Sequence, residues 1–180
     1  SNTTFNKFAT SEYMPVYTSA NVSGNTIAGA IDIIRVTTTG SDYVATLSGQ
    51  FQADDIRESI PTTSGNTTMY RLNTSASSNT DFYVSSALYI SAGTGAGQIR
   101  KIVDYNATTR VATIDSAYTT APSSNSTYLI APYVTITGDG SGAVGYATVS
   151  SNSSVNNYIS KVNLVNRGSS YTYEIGRAHV

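Results

Sequence analysis

The sequence has no cysteine, a single histidine and little charge. Without thiols, neither a disulfide framework nor a thiolate metal site can be built. Charged residues make up 12% of the chain, about half the usual share, and no Lys or Arg run disturbs a net charge of −1. A nucleic-acid groove and an anionic-membrane footprint are disfavoured on that ground. No apolar stretch approaches bilayer-spanning length, and no signal peptide stands out. The one histidine, His179, sits in EIGRAHV, a run that departs from the composition before it and whose codons can be written as sequencing-adapter read-through. Residues 174–180 are therefore expected to be a non-native tail, and the opening Ser in place of Met marks a piece or a processed form. With His179 set aside, Ser-His-acid catalysis and histidine metal sites both fall away.

What the chain does have is strand chemistry. Apolar residues reach 39%, polarity comes from Ser, Thr, Asn and Gly, and there are 14 tyrosines. Thr, Val, Ile and Tyr favour strands, while Gly, Asn and Ser favour turns. One stretch comes back. GAIDIIRVTTTGSDY at 29–43 and ISKVNLVNRGSSY at 159–171 share the frame I-x-x-[IV]-x-[VL]-x-x-x-G-S-x-Y without a gap. Ile31, Ile34, Val36, Gly40, Ser41 and Tyr43 fall on Ile159, Val162, Leu164, Gly168, Ser169 and Tyr171. Two copies so far apart predict related β-units with something inserted between them.

The fold class expected is all-β, a sandwich or partly open barrel. Residues 1–48 with 131–173 would form a discontinuous β-domain, and 49–130 an inserted β-lobe, which is tolerated when an insert's ends lie close together. Residues 1–28 read as an N-terminal arm, anchored by Phe5, Phe8, Tyr13, Met14 and Val16 and packing on its own domain or on a partner. Strands are expected at 31–36 and 43–47, and in the lobe at TMYRL, FYV, ALYIS, IRKIVDY, RVATID and TYLI, with a hairpin connection at Asn106–Thr109.

Candidate chemistry is thin. GTGAG at 93–97 and GDGSGA at 138–143 lack the lysine of a phosphate loop and the alternating acids of a calcium loop, Asp139 being the sole carboxylate; both read as turns. Asp54, Asp55 and Glu58 are the only acidic cluster. A glycosidase pair needs two carboxylates across a cleft, one of them desolvated, and a charged loop beside Arg57 reads instead as a solvated face. Asp104 and Asp115 read as strand-end residues. Tyrosines at 70, 83, 89, 105, 118, 128, 133, 146, 158, 171 and 173 are read chiefly as strand packing, with a sugar-binding face as the other use. Sequons such as Asn66-Thr67-Thr68 follow from composition. No catalytic, cofactor-binding or metal-ligating residue is assigned, and no cofactor is expected.

Three passages carry a family resemblance: NKFATSEYMPV at 6–16; ITGDGSGAVGYATV at 136–149 with ISKVNLVNRGSSYTY at 159–173; and ISAGTGAGQIRKIVDYNATTRVATIDSAYTTAPSSNSTYLI at 90–130. The chain resembles the baseplate wedge proteins of large contractile-tailed bacteriophages, in their marine phage versions. The last two passages also look like patterns shared by assorted phage virion proteins. The resemblance implies a non-enzymatic structural subunit of the virion, assembled in the bacterial host cytoplasm. It further implies a homodimer in its wedge that contacts other baseplate or tail proteins, with no catalytic residues carried over.

Overall fold

Branched and aromatic side chains suit a pleated surface, and the described chain is β-structure joined by turns, with one 3-10 turn and no α-helix. The computed structural model describes residues 12–15, 20–27, 29–57, 68–136 and 138–172; at 12–15, 20–27 and 57 the description is of the backbone. In chain order the strands are β1 (Glu12–Pro15), β2 (Ala20–Ile27), β3 (Ala30–Thr39), β4 (Leu47–Gln50), β5 (Ile56–Arg57) and β6 (Met69–Arg71). There follow β7 (Ser86–Ala92), β8 (Ile99–Asn106), β9 (Val111–Ile114), β10 (Thr127–Thr135), β11 (Ser141–Ser150) and β12 (Tyr158–Ser169). The fold is all-β, and among the described residues no sheet closes into a barrel. The described residues up to Ala45 and from Pro132 form one compact unit, and Thr46–Ala131 form another.

The first unit is built from two copies of one motif. Strands β1-β2-β3 make an antiparallel meander, and the end of β10 with β11 and β12 makes a second. Each of the eight β2–β3 pairs has its counterpart in β11–β12: Val22 faces Val36 as Gly145 faces Leu164, and Thr26 faces Ile31 as Val149 faces Ile159. The bulges coincide as well, at Asn21/Val22 and Asn25/Thr26 in one copy and at Val144/Gly145 and Thr148/Val149 in the other. The third strands also match, Tyr13 facing Ser23 as Tyr133 faces Tyr146.

The bulges explain a spacing that plain alternation does not. Side chains on a strand alternate faces, so Ile31 and Ile34 should point opposite ways. Asp32 is the extra residue of a bulge, which turns the chain by one position and returns Ile34 to the core. Ser160 does the same between Ile159 and Val162. The three-residue step I-x-x-[IV] is thus a bulge written in sequence.

Ile31, Ile34, Tyr43, Ile159, Val162 and Tyr171 lie in one buried cluster with Val134, Ile136, Ala143 and Ala147. The Gly-Ser-x-Tyr ends share their left-handed positions: φ is +61 at Gly40 and +65 at Gly168, and 64 at Asp42 and 63 at Ser170. Each tyrosine ring folds back over its own glycine. The copies then hold one another reciprocally. The Tyr43 amide donates to the Asn157 carbonyl at 3.0 Å, and the Tyr171 amide donates to the Gly29 carbonyl at 2.9 Å. Residue i of one copy meets j of the other and j meets i, the rule of a two-fold contact, here inside one chain. The Arg167 guanidinium closes the junction by donating to the carbonyls of Ile31 and Asp32, at 3.0 and 2.8 Å.

In the second unit β10-β7-β8-β9-β6-β5 run in sheet order, and β4 pairs with the start of β10. Several expectations change here and in the first unit. Residues 43–46 are not strand, because Tyr43 turns back over Gly40 and pairing resumes only at Leu47. FYV at 82–84 is turn rather than strand: Asp81 and Ser85 sit at φ 63 and 71, and the Val84 amide donates to the Asp81 carbonyl. The polar stretch ANVSGNT at 20–26, read as part of an arm, lies in β2, where backbone pairing on both sides supplies what the side chains lack. The hairpin connection occupies 107–110, between Asn106 and Val111. The anchors Phe5, Phe8 and Val16 and the tail 174–180 with His179 lie outside the described residues.

Candidate functional site

By sequence the tyrosines are candidates for a ligand face. In the second unit they form the core. Phe51 stacks on Tyr128 with centroids 4.6 Å apart, Tyr70 meets Tyr118 edge-on at 5.6 Å, and Tyr83 meets Tyr105 edge-on at 4.8 Å. Each buried hydroxyl needs a partner, and the backbone provides several. The Tyr105 hydroxyl donates to the Ser77 carbonyl at 2.6 Å and that of Tyr118 to the Leu88 carbonyl at 2.7 Å. The Tyr128 and Tyr83 oxygens accept the Asn73 and Ser77 amides. Burial pushes the Tyr70 and Tyr128 phenols up to about 12, and that of Tyr118 well above its ordinary range. Tyr171 is buried in the first unit, and Tyr89, Tyr133, Tyr146 and Tyr158 are half-buried. The six buried candidates are packing residues, the four half-buried ones keep part of their surface exposed, and Tyr173 lies outside the described residues.

The acidic cluster also reads differently in place. Asp54 is exposed, while Asp55 is buried at the end of the 3-10 turn Ala53–Asp55. One Asp55 oxygen accepts the Gln52 amide at 2.7 Å and the other accepts Arg71 Nε at 2.8 Å. A buried carboxylate persists when charge and hydrogen bonds both compensate it, so the solvated-face reading fails at Asp55. Glu58 lies outside the described residues. GTGAG at 93–97 is a turn, with Gly93, Gly95 and Gly97 at positive φ, whereas in GDGSGA only the part before Ser141 is a turn and Ser141–Ala143 open β11, Gly142 keeping a positive φ there. Asp139 accepts the Thr172 amide at 3.0 Å and the Thr172 hydroxyl. Asp115 accepts the Lys101 amide. Among the described residues no group of three or more His, Cys, Asp or Glu is placed to hold a metal.

A groove of about 1340 Å³ lies within the second unit. One side is the 3-10 turn region, with Gln50, Gln52 and Asp55; the opposite side is the β8–β9 hairpin, with Asp104, Asn106 and Thr108 to Val111. Strand β6 and the turn after it supply Met69, Arg71, Leu72, Asn73 and Thr74. Local rules place these groups. The Asn106 side chain accepts the Thr109 amide at 3.1 Å, a local side-chain-to-backbone bond that tightens the hairpin connection. The Leu72 amide donates to the Arg110 carbonyl at 2.8 Å and pins the turn to the neighbouring strand.

Arg110 is the unusual member. Its φ is 56, a left-handed conformation that costs a non-glycine residue about 1 kcal/mol. Its Nε is buried without a hydrogen-bond partner, the one such side-chain atom among the described residues. Unpaired buried donors are rare because each forfeits its hydration. Arg71 is held through Nε alone, so its two terminal nitrogens stay unspent. Sequence reading missed the groove. Its residues are scattered from 50 to 111, and two isolated arginines leave no motif.

No family model, no curated protein and no solved structure matches this chain.

Proposed function

We propose that the chain is a structural subunit of a phage virion, a tail baseplate wedge component that works through protein–protein interfaces. The observation that carries the reading is the duplicated meander closed on a common core. Such an arrangement devotes its repeated residues to shape: each position in the shared frame is in or against the core, or belongs to the Gly-Ser step at the strand end. The passages behind the family resemblance supply β1, β11 and β12 of that duplication and β8 to β10 of the second unit. Low charge supports the same role, because surfaces rich in Ser, Thr and Asn lose little hydration energy on being covered by neighbours. A homodimer in the wedge, with other tail proteins around it, is the assembly this reading takes up.

Mass spectrometry of purified tail particles tests it. Peptides of this chain should copurify with baseplate proteins through a density gradient. Their consistent absence from intact particles of a phage that expresses the gene overturns the reading.

A further inference from the structure

We propose that copies of this chain associate head to tail, the outer face of β3 in one copy docking on an apolar strip of the Thr46–Ala131 unit in the next. The contact rests on this chain's own surfaces, whether or not the virion role holds. Four large apolar side chains stand exposed among the described residues: Ile33, Phe82, Val84 and Val103. Three of them share one strip. The Asp81 amide donates to the Tyr105 carbonyl and the Ser85 amide to the Ile102 carbonyl, both at 2.9 Å, so residues 81–85 run beside the end of β8. Tyr83 is buried, while Phe82 and Val84 face out beside Val103, the extra residue of the bulge between Ile102 and Asp104. Left-handed φ at Asp81 and Ser85 and the bulge are three backbone irregularities at one place, and together they hold apolar surface in water.

Charge chooses the occupant. Exposed Asp81 and Asp104 flank the strip, and nearby Lys101 is offset by Asp115, whose carboxylate accepts the Lys101 amide. Two such strips meeting about a two-fold axis would set carboxylates against one another, which disfavours a symmetric contact. An apolar side chain beside a cation fits instead, and Ile33 with Arg35 supplies it. Both are exposed on one face of β3, where Ile33 is opposite Asn25 and Arg35 opposite Ser23. Arg35, Asp81 and Asp104 are in no ion pair among the described residues. The duplication provides a control for Ile33. Lys161 holds the same place in β12, opposite Thr148 as Ile33 is opposite Asn25, and it too is exposed. The motif thus accepts an ordinary surface lysine there, and nothing in the fold requires the isoleucine. A contact centred on one isoleucine is smaller than the roughly 800 Å² per partner of a stable pair, so it is weak and acts where copies are concentrated in an assembly.

Sedimentation velocity of the whole 180-residue chain tests the contact, run from about 10 μM to about 1 mM to cover a weak affinity. The average mass should rise with concentration above the 19.0 kDa of one chain. Ile33→Lys, Arg35→Glu and Val103→Asn should each weaken association by about tenfold or more, with Phe82→Ser as a second change to the strip. Circular dichroism reports whether each variant folds. The deciding arm mixes Ile33→Lys with Val103→Asn. The first keeps an intact strip and the second an intact β3 face, so an equimolar mixture should regain the parental affinity and stop at a pair. A parent chain that stays monomeric at the top of the range overturns the proposal. So does association that Ile33→Lys, Arg35→Glu or both strip variants leave intact, or a mixture no more associated than its components.

Discussion

Gly40 and Gly168 do the same work at the ends of β3 and β12. Their φ values of +61 and +65 suit a residue without a side chain, and the space beside them is taken. A Cβ on Gly40 would lie 2.6 Å from the Tyr43 hydroxyl, and one on Gly168 would lie 2.5 Å from the Ser141 carbonyl oxygen. Gly97 separates strain from crowding, since its φ is +89 and no atom lies within 4 Å of an added Cβ. Gly97→Ala should therefore cost about 1 kcal/mol, and Gly40→Ala and Gly168→Ala about 1–3 kcal/mol more, because buried tyrosine and backbone must move aside. Urea denaturation of the three variants checks this. Equal losses at all three positions would show that the tyrosine-over-glycine packing contributes nothing.

At the level of elements, the bulge decides which side chains are core. Ile31, Ile33 and Ile34 are alike in chemistry, and plain alternation would put Ile31 and Ile33 on one face. The extra residue Asp32 reverses the phase after Ile31, so Ile31 is 0% exposed and Ile33 is 58% exposed. Ile159 in β12 stands where Ile31 stands in β3, in the same cluster. Ile31→Ala and Ile159→Ala should each cost about 2–5 kcal/mol, whereas Ile33→Ala should stay within about 0.5 kcal/mol of the parent. Because both buried positions line one core, the double variant should depart from additivity. Thermal or chemical unfolding measures all four. A large loss at Ile33 would contradict the register.

For the whole molecule, the two units differ in what holds them. The first is a mainly aliphatic core, with Tyr43 and Tyr171, between two meanders. The second is built on phenol rings, and this gives it a pH limit. Burial holds the Tyr70 and Tyr128 phenols at about 12 in the folded state against 10.0 when exposed. Below pH 10 the phenols are neutral in folded and unfolded chains alike, and their contribution is fully present. As pH rises from about 10 through 12 the unfolded chain releases these protons first, so stability falls. The 46–131 unit should thus lose hydrogen-exchange protection above pH 10. Tyrosinate absorbance should rise cooperatively with that loss. Gradual titration near pH 10 with protection intact would contradict the burial.

The sequence by itself determined the fold class, through its strand and turn chemistry, and it determined the duplication, through a frame that survives because both copies obey the same local geometry. Gly40 and Gly168 were legible as turn residues, since positive φ is a backbone property. Tertiary structure alone decided three things. It showed that the matching extends to β1, β2, β10 and β11, where mostly different side chains keep one register through backbone bonds. It turned Tyr70, Tyr83, Tyr105, Tyr118 and Tyr128 inward, because packing rather than composition chooses which face of a ring is wet. It assembled the groove from residues 50 to 111, which are far apart in the chain and meet only when the strands pair, so no local pattern encodes them.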